Sequence, residues 1–83
     1  MFEIQFSPKA QRELKNLSPN IQIRIKKKLF DNAKLSNPLD RAKPLINLPP
    51  ASYRFRIGKY RVFFYIKNNS IFIERLKLEG KSL

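Results

Sequence analysis

The sequence predicts an α+β domain of order β-α-α-β-β-β, with an N-terminal helical hairpin packed on one face of an antiparallel sheet. Three observations carry this. The first six residues alternate apolar and polar. Two Ser-Pro pairs each open a stretch with helical apolar spacing. From Tyr53 onward the chain is rich in β-formers broken by turn residues. A chain of 83 residues has room for one core, so residues 1–83 are read as a single domain.

In the opening strand, residues 1–6, Phe2, Ile4 and Phe6 point one way and Glu3 and Gln5 the other. Ser7-Pro8 then supplies an N-cap oxygen and a proline at the first helical position, where its missing N–H costs nothing. Ala10, Leu14 and Leu17 recur at helical spacing, which predicts a helix over 8–17. Ser18-Pro19 repeats the start signal. Ile21, Ile25, Leu29 and Ala33 then stack at every fourth position and predict a second helix over 19–35. Residues 36–50 hold Pro38, Pro44, Pro49 and Pro50 without sustained periodicity and read as a loop, pinned to the core by Leu45, Ile46 and Leu48. Strands follow over 53–57, 60–66 and 71–76. Gly58-Lys59 has the form of a two-residue type II′ turn, and residues 67–70 mark the next one.

Hydrophobic residues make up 42% of the chain, enough for a packed core. Charge is the strongest compositional signal: 18 Lys and Arg against 6 Asp and Glu give +12. An excess of that size implies a polyanionic partner, either nucleic acid or an acidic protein. The absence of Cys and His removes disulfides, the usual zinc sites and the Cys–His and Ser-His-Asp nucleophile systems. No metal and no cofactor are therefore expected. The longest apolar run, residues 62–66, is far short of the roughly 20 residues that span a bilayer. No signal-peptide pattern opens the chain, and the reading is a soluble cytoplasmic protein without membrane contact.

The hairpin can be resolved residue by residue. With Gly58 and Lys59 as the turn, Ile57 pairs with Tyr60, Arg56 with Arg61, Phe55 with Val62 and Arg54 with Phe63. Phe55, Ile57, Tyr60, Val62, Phe64 and Ile66 then share the face under the helices. Arg54, Arg56, Arg61, Phe63 and Tyr65 share the other. Like charges directly opposite are destabilising, so something besides folding favours Arg56 beside Arg61. Guanidiniums so spaced grip phosphates, and Phe63 and Tyr65 are candidates to stack on unpaired RNA bases. The Lys26-Lys27-Lys28 run on the second helix reads as a solvated surface, at most a further non-specific phosphate contact.

The whole chain resembles the RelE/ParE superfamily of type II toxin–antitoxin toxins. Four stretches carry the resemblance: Phe6-Ser7-Pro8-Lys9-Ala10 after the opening strand, the basic second helix, Asn37-Pro38 with the leucines of 45–48, and above all Tyr53-Arg54-Phe55-Arg56-Ile57-Gly58-Lys59-Tyr60-Arg61-Val62. The last is similar to the family signature Y-R-x-R-x-G-x-Y-R-[VIL]. The resemblance implies a toxin neutralised by an acidic antitoxin that wraps it. RelE-like members cleave mRNA on the ribosome, and ParE-like members poison DNA gyrase. In the first branch, basic residues of the signature hairpin surround the scissile phosphate. By position these are Arg54, Arg56 and Arg61.

The C-terminus departs from the family pattern. Leu78 stands where His is frequent, Glu79 where Arg is expected and Leu83 where Tyr is expected. Metal-free RNA cleavage requires a base for the 2′-OH, cations for the phosphorane and an acid for the leaving 5′-oxygen. The arginines supply charge but are poor proton carriers, with a pKa above about 12. Glu79 is the candidate base, and Lys77 or Lys81 the candidate acid. Three readings remain: an mRNA interferase, a gyrase inhibitor, and a degenerate toxin that retains only antitoxin binding.

Overall fold

A computed structural model of the chain describes residues 1–46 and 49–80. Leu48, Lys81 and Leu83, assigned roles above, lie outside the described residues.

Strand β1 covers Glu3–Phe6, helix α1 Pro8–Lys15 and helix α2 Pro19–Ala33. A 3-10 turn covers Pro38–Arg41, followed by β2 (Ala42–Pro44), β3 (Tyr53–Ile57), β4 (Tyr60–Lys67) and β5 (Ser70–Leu78). Both helices begin at the Ser-Pro pairs. Ser7 caps α1, its hydroxyl accepting from the Ala10 N–H at 3.0 Å. Ser18 occupies the N-cap of α2 but its side chain makes no capping bond. Both helices end two residues before their expected limits. Leu17, Lys34 and Leu35 donate to carbonyls three residues back, so each last turn tightens.

The sheet is five-stranded, in the order β1-β5-β4-β3-β2. It differs from expectation at both edges. β2 is a strand where the sequence reads as loop. Pro44 hides it, because proline is tolerated in a sheet only at an edge, and β2 is an edge. At the other edge β1 pairs with β5 in parallel, although the remaining pairings are antiparallel. Alternation shows which side chains face inward, not which way a strand runs.

The hairpin register is the expected one, from Ile57↔Tyr60 through Arg54↔Phe63. Gly58 has φ +59, and Lys59 is not among the residues with positive φ, as a type II′ turn requires. Ala10 and Leu14 of α1 and Ile25, Leu29 and Ala33 of α2 form one core with Phe55, Ile57, Val62, Phe64, Ile71, Ile73 and Leu76. Both helices therefore cover one sheet face and leave the other open. Phe55 and Phe64 stack at its centre, 4.1 Å between centroids. The segment after α2 is held by buried Pro38 with Leu39 and Ala42, not by Ile46, which is 84% exposed.

A β-bulge shapes the rest. Phe64 pairs with Ile73 but Phe63 pairs with Arg75, so Glu74 is an extra residue in β5. The chain leaving β1 secures it there. The Ser7 N–H donates to the Ile73 carbonyl at 2.8 Å, and the Ser7 hydroxyl donates to the Glu74 carbonyl at 2.7 Å. Among the described residues no helix is long and apolar enough to cross a membrane.

Candidate nucleic-acid interface

The open sheet face collects cations from four strands. Lys43 of β2 lies across from Arg54 of β3, Arg54 from Phe63 of β4, and Phe63 from Arg75 of β5. One step along, Arg56 lies across from Arg61 and Arg61 from Lys77. Paired residues share a face, so Lys43, Arg54, Arg56, Arg61, Arg75 and Lys77 form one basic surface. Lys43–Arg54, Arg56–Arg61 and Arg61–Lys77 are like-charged cross-strand neighbours. Such pairs oppose folding by a few tenths to about 1 kcal/mol each.

Two carboxylates enter this surface. Glu79 sets both oxygens 2.8 Å from one Arg56 amino nitrogen (Nη2), and both side chains remain well exposed. Its backbone N–H donates to the Lys59 carbonyl, which seats the end of β5 beside the hairpin turn. Glu13 arrives from α1. Its Oε2 accepts from Arg75 Nη2 at 3.0 Å and lies 2.8 Å from Lys77 Nζ. Its Oε1 accepts the backbone N–H of Leu76 at 2.8 Å. Burial alone would push the Glu13 carboxyl up. The hydrogen bonds from Arg75, Lys77 and the Leu76 N–H, with the Arg75 charge, outweigh it and hold the group below its ordinary 4.5.

The structure brings Arg54, Arg56, Arg61 and Glu79 together. It separates Lys26, Lys27 and Lys28 from them: those lysines are exposed on α2, which packs on the opposite side of the sheet. Phe63 shares the basic face but is only 2% exposed, so it is not the open stacking platform expected of it. Arg54 and Arg75 flank it on the neighbouring strands, and the Arg61 guanidinium carbon lies 5.6 Å from its ring centre. Phe63 instead walls a cavity of about 640 Å³ shared with Arg12, Pro50, Glu74 and Arg75. Tyr65 is half-buried and stacked on Phe72, 5.0 Å between centroids, so one side of its ring is already engaged.

Sequence reasoning missed Glu13 and Arg75, and placed Lys77 only as a possible acid. Simple alternation from Ile71 and Ile73 would turn Arg75 and Lys77 into the core, and the bulge turns them out. Lys43 was missed because β2 was. What the face can do is bind and stabilise a polyanion. A proton transfer on this face would need Glu79 or Lys77, because arginine is a poor proton carrier.

The ParE toxin of the type II toxin–antitoxin system parDE, as a sequence family, matches residues 4–78. No curated protein matches the sequence. Among solved structures, a chain of the RelBE2 toxin–antitoxin complex from Mycobacterium tuberculosis is 25% identical and superposes with a TM-score of 0.80, over 94% of this chain and 98% of that one. The archaeal RelE–RelB complex from Pyrococcus horikoshii gives 22% identity and a TM-score of 0.74 over 98% of each chain. The ParDE system from P. aeruginosa gives 16% identity and 0.58, over 96% of this chain and 98% of the other. The family match carries a ParE name and the better-superposing structures carry RelE names, so the two agree on the superfamily and divide on the branch. With residues 4–78 matched and the RelE-like fold in place, the chain belongs to the ParE toxin family of type II toxin–antitoxin systems, within the RelE/ParE superfamily.

Proposed function

We propose that this toxin is a ribosome-dependent mRNA interferase that holds the scissile region of RNA on the open sheet face. The observation that carries the reading is the run of like-charged cross-strand neighbours, Lys43–Arg54, Arg56–Arg61 and Arg61–Lys77. Placed side by side they oppose folding, and an anion lying over them offsets that repulsion. A phosphodiester backbone spaces its charges along a line, as these rows do. In this reading Arg54, Arg56 and Arg61 stabilise the phosphorane, Glu79, beside Arg56, takes the 2′-OH proton, and Lys77 gives a proton to the leaving 5′-oxygen as the P–O5′ bond breaks.

The cognate antitoxin in this reading is an acidic, partly disordered chain. β1 offers it an unpaired sheet edge beside a groove lined by Met1, Phe2, Ile4, Phe6 and Phe30, with Met1 and Phe30 exposed. Co-expression with the product of a neighbouring small acidic reading frame should yield a complex stable in moderate salt. High-yield purification of the toxin alone, with no growth defect, would count against it.

One observation favours a second reading, a toxin with weakened chemistry that retains antitoxin binding. Glu79 stands where the family places an arginine and bonds Arg56. Induced expression separates these readings and gyrase inhibition. New mRNA 5′ ends support cleavage, DNA damage without them supports gyrase, and neither supports the weakened toxin.

A further inference from the structure

Glu13 has no place in the family signature, and its charge opposes an RNA-binding face. It is nonetheless the most heavily bonded carboxylate described here. Its side chain is 19% exposed and takes hydrogen bonds from Arg75, Lys77 and a backbone N–H of β5. The backbone explains why a carboxylate sits there. β1 pairs with β5 only from Ser70 to Ile73. Beyond the bulge that edge of β5 faces α1, and Glu13 supplies the acceptor that a strand would have supplied to Leu76. Having paired with the backbone, the same carboxylate reaches the two side chains that flank Leu76, Arg75 and Lys77.

Left to itself, a lysine or arginine on an exposed sheet face samples many rotamers, and fixing it costs side-chain entropy. Glu13 fixes two of them before any ligand arrives, at angles set by α1. We propose that Glu13 is a positioning residue of the phosphate-binding face: it fixes Arg75 and Lys77 along the α1 edge of that face, beside the row of Arg54, Arg56 and Arg61, and gives up some of their free charge for that order. The proposal rests on the RNA reading of the face and extends it by a residue on a different element. It makes α1 part of the site, since the helix sets where two of the cations stand.

The consequence is a split between binding and turnover. Glu13→Gln keeps the shape and the acceptor for Leu76 but releases the two cations. Removing a negative charge and freeing two positive ones should leave single-stranded RNA binding as tight or tighter, with a salt slope steeper by about one. Misplaced cations should cut the single-turnover cleavage rate on programmed ribosomes by about tenfold to a hundredfold. Protons on the Arg75 side chain, slowly exchanging in wild type, should exchange fast in the variant.

The test measures a short oligouridylate titrated at several salt concentrations, ribosomal single-turnover cleavage, and side-chain proton exchange by NMR. All are run at a temperature where circular dichroism shows both proteins folded. Lys77→Ala, and the double variant with Glu13→Gln, complete a cycle. The expected result is a lower rate with unweakened binding, faster Arg75 exchange, and non-additivity in the cycle. Unchanged slope, rate and exchange in Glu13→Gln, with only a lower melting temperature, would overturn the proposal and leave Glu13 a fold-stabilising group. A wild type that binds the oligonucleotide but does not cleave would sink the interferase reading alone, because slope and exchange still judge Glu13. A wild type that does not bind RNA would overturn both.

Discussion

Arg56 and Arg61 stand directly opposite each other on the outer face of the β3–β4 hairpin, two guanidiniums where a folding domain gains more from a charge and its opposite. Phe55, Ile57 and Val62 pack into the core on the other side of the same strands, while Arg56 is held by Glu79 and Arg61 lies over the Phe63 ring. Either arginine can therefore be changed without touching the cluster under the helices.

Arg61→Ala should leave the circular dichroism spectrum unchanged, because its side chain is not part of the core under the helices. The same change should flatten the salt dependence of RNA binding by about one unit. It should also lower mRNA cleavage by roughly a hundredfold and abolish growth arrest. If cleavage survives intact, the phosphate lies elsewhere on the molecule.

Glu79 and Arg56 set up a competition. A phosphate that takes Arg56 must displace the carboxylate, so Glu79→Gln should tighten oligonucleotide binding and steepen its salt slope. Glu79→Arg, which restores the residue common in the family, should raise cleavage if the tail limits the rate. Loss of cleavage in both variants, with binding improved, would assign Glu79 as the proton acceptor.

The pH dependence of stability follows from Glu13. Its carboxyl is held below its ordinary value of 4.5 in the folded protein. The stability it contributes is therefore fully present above 4.5 and is lost as pH falls through the lowered folded value. Glu13→Gln should cost about 1–3 kcal/mol at neutral pH. The gap in melting temperature between wild type and variant should be widest above that range and close in acid. A gap that stays constant with pH would mean the carboxylate charge contributes nothing.

Gly58 meets nothing within 4 Å where a Cβ would sit, yet its φ is +59. Gly58→Ala should therefore destabilise through backbone strain alone, by about 1–2 kcal/mol. Chemical denaturation measures this directly. A larger loss, with a changed denaturant slope, would indicate that the hairpin register has moved.

Much of this architecture is legible in the sequence. The register of β3 and β4 follows from a two-residue turn, and once it is fixed every side chain of the hairpin is assigned to a face. Arg54, Arg56 and Arg61 were found that way. Other parts depend on contacts distant in the chain. The direction of β1 is set by β5, far along the sequence, and β2 forms only because β3 offers it an edge. The largest loss was Arg75 and Lys77. Their orientation depends on Glu74 being accommodated as an extra residue, which in turn depends on Ser7 holding the Ile73 and Glu74 backbone. The burial of Phe63 was hidden for a similar reason, because its covering comes from arginines on both neighbouring strands.

The bulge at Glu74 gives β5 something like a reading frame. Upstream of it odd-numbered residues face the helices, as with Ile71 and Ile73, and downstream even-numbered ones do, as with Leu76. Deleting Glu74 would only close the bulge: Ile73 would run straight into Arg75, with Arg75 and Lys77 still outward and Leu76 still inward. Inserting one residue after Glu74 would shift the frame of everything beyond it, turning Arg75 and Lys77 inward and Leu76 out. Point substitutions on this face adjust the toxin by degrees, whereas a single-codon insertion in β5 would exchange its basic surface for its core.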